Sequence, residues 1–177
     1  MRGVSQDGNF SYLWNMQVFI YEPISNFTLS EFTESIKEVS ETEAIELRIN
    51  SPGGDVFAGF TLASLIQSLP NKVTVHVDGL AGSIASVIAL SGDTVLISEQ
   101  GSFMIHNASI GIGGNKEEMQ DRIELLAQID NSLLSIYKSR SNLSEDVILA
   151  MMEKETFINS EEAIRIGFAD GLTKQRS

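Results

Sequence analysis

Residues 73–106 read VTVHVDGLAGSIASVIALSGDTVLISEQGSFMIH, and this stretch decides the fold. Val73, Val75 and Val77 alternate with polar residues, so Val73 to Val77 is a strand with one buried face. A small-residue turn, Gly79-Leu80-Ala81-Gly82-Ser83, follows and runs straight into an apolar helix pattern from Ile84 to Leu90. Two more short apolar runs, Thr94 to Ile97 and Phe103 to Ile105, read as strands, and the second ends on His106. The turn presents Ser83 at a helix start, where N–H groups face developing negative charge. A serine so placed and a histidine at a strand end make a candidate nucleophile and base.

Working outward toward the N-terminus, Phe57, Phe60, Leu62, Leu65, Ile66 and Leu69 trace a helix that stops at Pro70. Before it, Ile45, Leu47 and Ile49 alternate within a strand from Ala44 to Asn50. Between the two lies Ser51-Pro52-Gly53-Gly54, a glycine turn suited to offering backbone N–H groups to an oxyanion. Thr28-Leu29-Ser30-Glu31 fits a capping box ahead of Phe32, Ile36 and Val39. Gln17 to Tyr21 reads as a strand, and residues 1–15, without periodicity, as either a mobile N-terminal arm or a short extra strand.

Toward the C-terminus, the glycine-containing loop from Asn107 to Asn115 has neither G-x-G-x-x-G spacing nor a Walker lysine, so no phosphate cradle is expected. Lys116 to Arg140 reads as one long helix with an apolar stripe of Met119, Ile123, Leu126, Ile129, Leu133 and Ile136. A helix of that length spans about 36 Å, long for a small domain, so part of it is expected to meet another subunit. A helix capped by Ser144 is expected through Glu155, then an extended Thr156-Phe157-Ile158, a helix from Asn159 to Gly167, and a last strand from Phe168 to Leu172.

The 177 residues suit one domain, and strands alternating with helices argue for an α/β fold with a largely parallel sheet. In such sheets sites gather at the carboxyl ends of strands, where Gly53-Gly54, Ser83 and His106 all fall. Cysteine is absent, which excludes disulfides, a thiol nucleophile and thiolate metal sites and agrees with a reducing, cytoplasmic location. The net charge of −12 disfavours nucleic acid and anionic membrane surfaces. No apolar run approaches the ~20 residues of a membrane span. No metal cluster or nucleotide motif is visible, so no cofactor is expected. Ser86, one turn after Ser83, is expected to pack inward, and His76, alternating with valines, to serve the strand face. For the carboxylate that orients the imidazole, Glu155 is the first choice, with Asp170 and Asp78 as alternatives.

Asn50-Ser51-Pro52-Gly53-Gly54, Gly79-Leu80-Ala81-Gly82-Ser83, Met104-Ile105-His106 and Phe157-Ile158-Asn159-Ser160-Glu161-Glu162-Ala163 resemble the Clp protease proteolytic-subunit family, in that family's order. The likeness covers roughly residues 17–173, and the wording after Gly79 is similar to the phage and prophage branch. The resemblance implies a serine endopeptidase with Ser83 as nucleophile, His106 as base, Glu155 at the position of the triad aspartate, and Gly54 and Ile84 as backbone oxyanion donors. It also implies a ββα spiral in one domain over residues 16–177, with residues 116–140 as a handle helix. Seven-membered rings, stacked in pairs, and a ring-shaped ATPase unfoldase are the partners it implies. Departures from the family pattern are Gly82 for alanine, Glu155 for aspartate, and Asn107-Ala108 for glutamine-proline. They leave room for a non-catalytic ring. A coenzyme A thioester enzyme of the related crotonase fold is a further reading, one that needs no serine–histidine pair.

Overall fold

The computed structural model describes residues 16–111 and 113–174, so the expected arm at residues 1–15 lies outside the described residues. Five parallel strands lie in the order β1 (Met16–Ile20), β2 (Ile45–Ser51), β3 (Val73–Gly82), β4 (Thr94–Ile97) and β7 (Gly171–Leu172). Helices α1 (Asn26–Ile36), α2 (Val56–Ser68) and α3 (Ile84–Ala89) follow β1, β2 and β3 in turn. The alternation in β2 and β3 sends Ile45, Leu47, Ile49, Val73, Val75 and Val77 into the core with essentially no exposure. Their polar neighbours line the opposite face. There Asp78 accepts hydrogen bonds from Arg48 and from the Tyr21 hydroxyl (2.6 Å), and His76 contacts Glu46. His76 is therefore a strand-face residue, as its alternation predicts.

The site depends on how β3 divides its partners. Its first half pairs with β4, and its last three residues, Leu80, Ala81 and Gly82, pair with Ser102, Phe103 and Met104 of β5 (Ser102–Ile105). The expected turn at Gly79–Gly82 is thus strand, because β5 supplies its backbone partners. The register between β2 and β3 shifts between Ile49 and Ser51, at the same level. An antiparallel strand β6 (Thr156–Asn159) then pairs with β5.

Three further boundaries differ from the sequence reading. α1 is capped by Ser25, whose hydroxyl accepts the Thr28 N–H, so the capping box expected at Thr28 is displaced by three residues. The Thr28 hydroxyl donates to the Pro23 carbonyl, closing the preceding turn. α5 (Glu145–Glu153) ends before Glu155, which adopts φ 52°, and a left-handed residue cannot continue a right-handed helix. The last strand is only Gly171–Leu172, because the N–H groups of Phe168 and Ala169 turn back to the Ala163 carbonyl at the end of α6 (Ser160–Ile166).

α4 (Lys116–Ser139) matches its expected span, with Asn115 and Glu118 forming a capping box. Its stripe is buried only in the second half, at Ile129, Leu133 and Tyr137. Residues 116–124 are exposed on every side, including Met119 and Ile123. Among the described residues no helix is long and apolar enough to cross a membrane.

Candidate active site

Ser83 stands where β3 ends and α3 begins, with φ 52° and ψ −128°. A non-glycine residue holds such a backbone only when its surroundings over-determine it. Its N–H donates to the Met104 carbonyl of β5 (2.8 Å), and its own carbonyl accepts from the Ser86 N–H (3.0 Å) and the Ser86 hydroxyl (2.5 Å). The side chain makes no capping bond to α3.

Two residues beyond Met104, β5 ends and delivers His106. Its Nε2 lies 2.8 Å from Ser83 Oγ, within hydrogen-bond reach of a nucleophile and base. The loop beyond the histidine is pinned on both sides. Asn107 donates to the Met152 carbonyl of α5 (3.1 Å), and Ala108 donates to the Asp130 carboxylate on α4 (2.6 Å). Among the described residues, the imidazole has the Ser83 hydroxyl as its one hydrogen-bond partner.

The three carboxylates considered from sequence sit in different places. Asp78 is engaged by Arg48 and Tyr21 on the far face of the sheet. Asp170 accepts the Val95 N–H (2.7 Å) and faces Arg140, at the opposite end of β4. Glu155 immediately precedes β6, and the β5–β6 ladder ends on the pair Ile105↔Thr156. Glu155, with φ 52°, and His106 both lie just outside that ladder. The Glu155 side chain is exposed and makes no bond to the imidazole. Ser83 and Glu155 are the two non-glycine residues with positive φ among those described.

The glycine turn closes the third side. Ile24 bridges to it by donating to the Gly53 carbonyl (2.9 Å) and accepting from the Asp55 N–H (2.8 Å), which leaves the Gly54 N–H out of the ladder. Gly53, at φ 97°, has no room for a side chain: a Cβ there would lie 2.6 Å from Ser83 Cβ and 3.2 Å from the Ile84 nitrogen. The absence of a Cβ lets the turn pack directly on the start of α3. The N–H of Ile84, first residue of α3, has no acceptor within the helix.

Ser83, His106 and Gly54 open into one cleft of about 510 Å³. Its remaining wall is mostly apolar, with Phe57, Met104, Leu125, Leu126, Ile129 and Leu133. None of these wall residues could be assigned to a site from sequence, because an apolar residue facing a cleft and one facing a core share the same periodicity. Tyr137 widens the apolar stripe of α4, and a tyrosine in a buried stripe needs a partner for its hydroxyl. That partner is Ser86 (2.8 Å), which packs inward as expected.

The family model described as Clp protease matches residues 5–176. A Deinococcus radiodurans protein described as "ATP-dependent Clp protease proteolytic subunit" is 28% identical over 135 residues, which cover 75% of this chain and 66% of that protein. A Chlamydia abortus protein, "ATP-dependent Clp protease proteolytic subunit 1", is 28% identical over 163 residues, covering 88% and 85%. A Tropheryma whipplei protein, "ATP-dependent Clp protease proteolytic subunit 2", is 28% identical over 132 residues, covering 73% of each chain.

Proposed function

The chain belongs to the Clp protease family of serine-type peptidases, and on that premise we propose that it is a serine endopeptidase with Ser83 as nucleophile and His106 as general base. The observation that carries this reading is the 2.8 Å contact between Ser83 Oγ and His106 Nε2 at the cleft. Nε2 takes the hydroxyl proton as Oγ attacks the peptide carbonyl carbon, and the carbonyl π pair moves onto oxygen. The N–H groups of Gly54 and Ile84 receive that oxyanion. The imidazolium returns its proton to the departing amine as the C–N bond breaks, leaving an acyl-serine. Water then enters, and the same proton shuttle releases the acid and restores Ser83. The apolar wall formed by α4 favours a bulky apolar side chain on the acyl side of the cut bond.

Glu155 is the acid that supports the imidazolium in this reading. Its position just beyond the last β5–β6 pair, Ile105↔Thr156, supports this assignment, and its extra methylene relative to aspartate gives it reach. The exposed first half of α4, with Met119 and Ile123, acts as a handle between stacked rings of seven subunits built on a ββα spiral. The term "ATP-dependent" in the relatives' names supports an ATPase unfoldase as partner. A phage or prophage origin and a cytoplasmic location belong to the same reading.

One observation favours a second reading, a non-catalytic ring: among the described residues, no carboxylate is bonded to the His106 imidazole. The coenzyme A reading has no such support, since it needs no serine–imidazole pair. A fluorophosphonate probe separates the two remaining readings. Wild-type protein is expected to take one label per subunit, mapped to Ser83, and Ser83→Ala none. Absence of labelling and of peptide hydrolysis in the wild type sinks the peptidase reading in favour of the inert ring.

A further inference from the structure

The fully buried Tyr137 reaches the candidate nucleophile through a single intermediary. Ser86 Oγ lies 2.5 Å from the Ser83 carbonyl oxygen and 2.8 Å from the Tyr137 hydroxyl. A serine hydroxyl has one proton. The Ser83 carbonyl can only accept, so Ser86 spends its proton there, and the Tyr137 hydroxyl donates to Ser86 Oγ. The hydrogen bonds therefore run in one direction, from α4 through α3 to the backbone of Ser83. No other described polar group competes for the Tyr137 hydroxyl, whose ring is enclosed beside Phe168 at 5.7 Å between centroids.

We propose that Ser86 and Tyr137 are positioning residues that latch Ser83 in its left-handed backbone conformation and so aim its hydroxyl at His106. This rests on the peptidase reading above for its catalytic consequence. The logic is one of opposed anchors. The Ser83 N–H is tied to β5 and its carbonyl to both the N–H and the hydroxyl of Ser86, so the peptide units on both sides of Cα are held, the hydroxyl adding the shorter of the two carbonyl contacts. With both held, φ stays at 52° and the Cα–Cβ bond is aimed so that Oγ reaches His106 Nε2. Burial also pushes the Tyr137 hydroxyl up to about 12, so it remains a donor throughout the range in which a peptidase is assayed.

The test is a double-variant cycle with a structural arm. Tyr137→Phe removes only the hydroxyl and is expected to lower kcat for a peptide substrate about tenfold at unchanged KM, the effect of one buried hydrogen bond. Ser86→Ala is expected to lower it at least as much. The combined variant should match Ser86→Ala to within about twofold, because Tyr137 acts only through Ser86. Multiplicative losses would mean that Tyr137 merely supports packing, and they overturn the proposal. Crystal structures of wild type and Ser86→Ala decide the latch without turnover. Ser83 is expected to leave the left-handed region, with its hydroxyl drawn off His106. An unchanged Ser83 backbone overturns the proposal even in an active enzyme. If the wild type proves inert, the peptidase reading fails while this structural arm still decides the latch.

Discussion

The candidate carboxylates differ in their neighbours, and that makes the proposed acid testable residue by residue. Among the described residues no cation pairs with Glu155, so replacing its charge is expected to alter little in the fold. Glu155→Gln is expected to lower kcat/KM by about ten- to a hundredfold, because it withdraws support from the imidazolium while leaving the Ser83–His106 pair intact. Asp170→Asn removes the charged acceptor of the Val95 N–H and is expected to cost about 1 kcal/mol of stability without a loss in kcat. Asp78→Asn weakens its contacts with Arg48 and Tyr21 on the far face of the sheet, again with kcat unchanged. Steady-state kinetics beside thermal unfolding check all three. A larger kcat loss from Asp170→Asn than from Glu155→Gln would reassign the acid.

α4 is two helices in physical terms, although it is one in its hydrogen bonding. Its second half is part of the subunit: Leu133 is 5% exposed and also lines the cleft, and Asp130 and Tyr137 bind the histidine loop and the α3 serine. Residues 116–124 are exposed, with Ile123 at 59%. Leu133→Ala is therefore expected to destabilise the folded subunit by about 2–5 kcal/mol, the cost of a buried leucine truncation. Ile123→Ser is expected to change subunit stability by less than about 0.5 kcal/mol. Its effect falls on assembly, read as a lower oligomer mass in analytical ultracentrifugation. Chemical denaturation checks the first and fails it if the two variants prove equally destabilised.

At the scale of the molecule, a charge of −12 on 177 residues sets copies of the chain against one another. Any ring must overcome that repulsion, which acts over the Debye length: about 30 Å at 0.01 M salt and about 8 Å at 0.15 M. Self-association is expected to strengthen as salt rises through this range, the reverse of an interface held by opposite charges. Sedimentation velocity across a salt series checks it. Dissociation on adding salt would place attractive ion pairs at the subunit contacts.

The same scales separate what could be read from the chain and what could not. Alternation in β2 and β3 and the long helical stripe of α4 were legible because burial of one face leaves a period in the sequence. The candidate site was legible in its glycine turn, its serine at a helix start and its strand-end histidine, because those residue types meet backbone demands that are local. Tertiary structure alone decided the rest. Gly79–Gly82 is strand because β5 lies beside it, and Met119 and Ile123 of the α4 stripe stay exposed among the described residues. It set Tyr137 against Ser86, and it sent Asp78 and Asp170 to other duties. The physical reason is range. Periodicity and turn chemistry act over a few neighbouring residues, whereas the partner of a hydroxyl or a carboxylate is chosen by whichever distant segment the packed core brings within 3 Å.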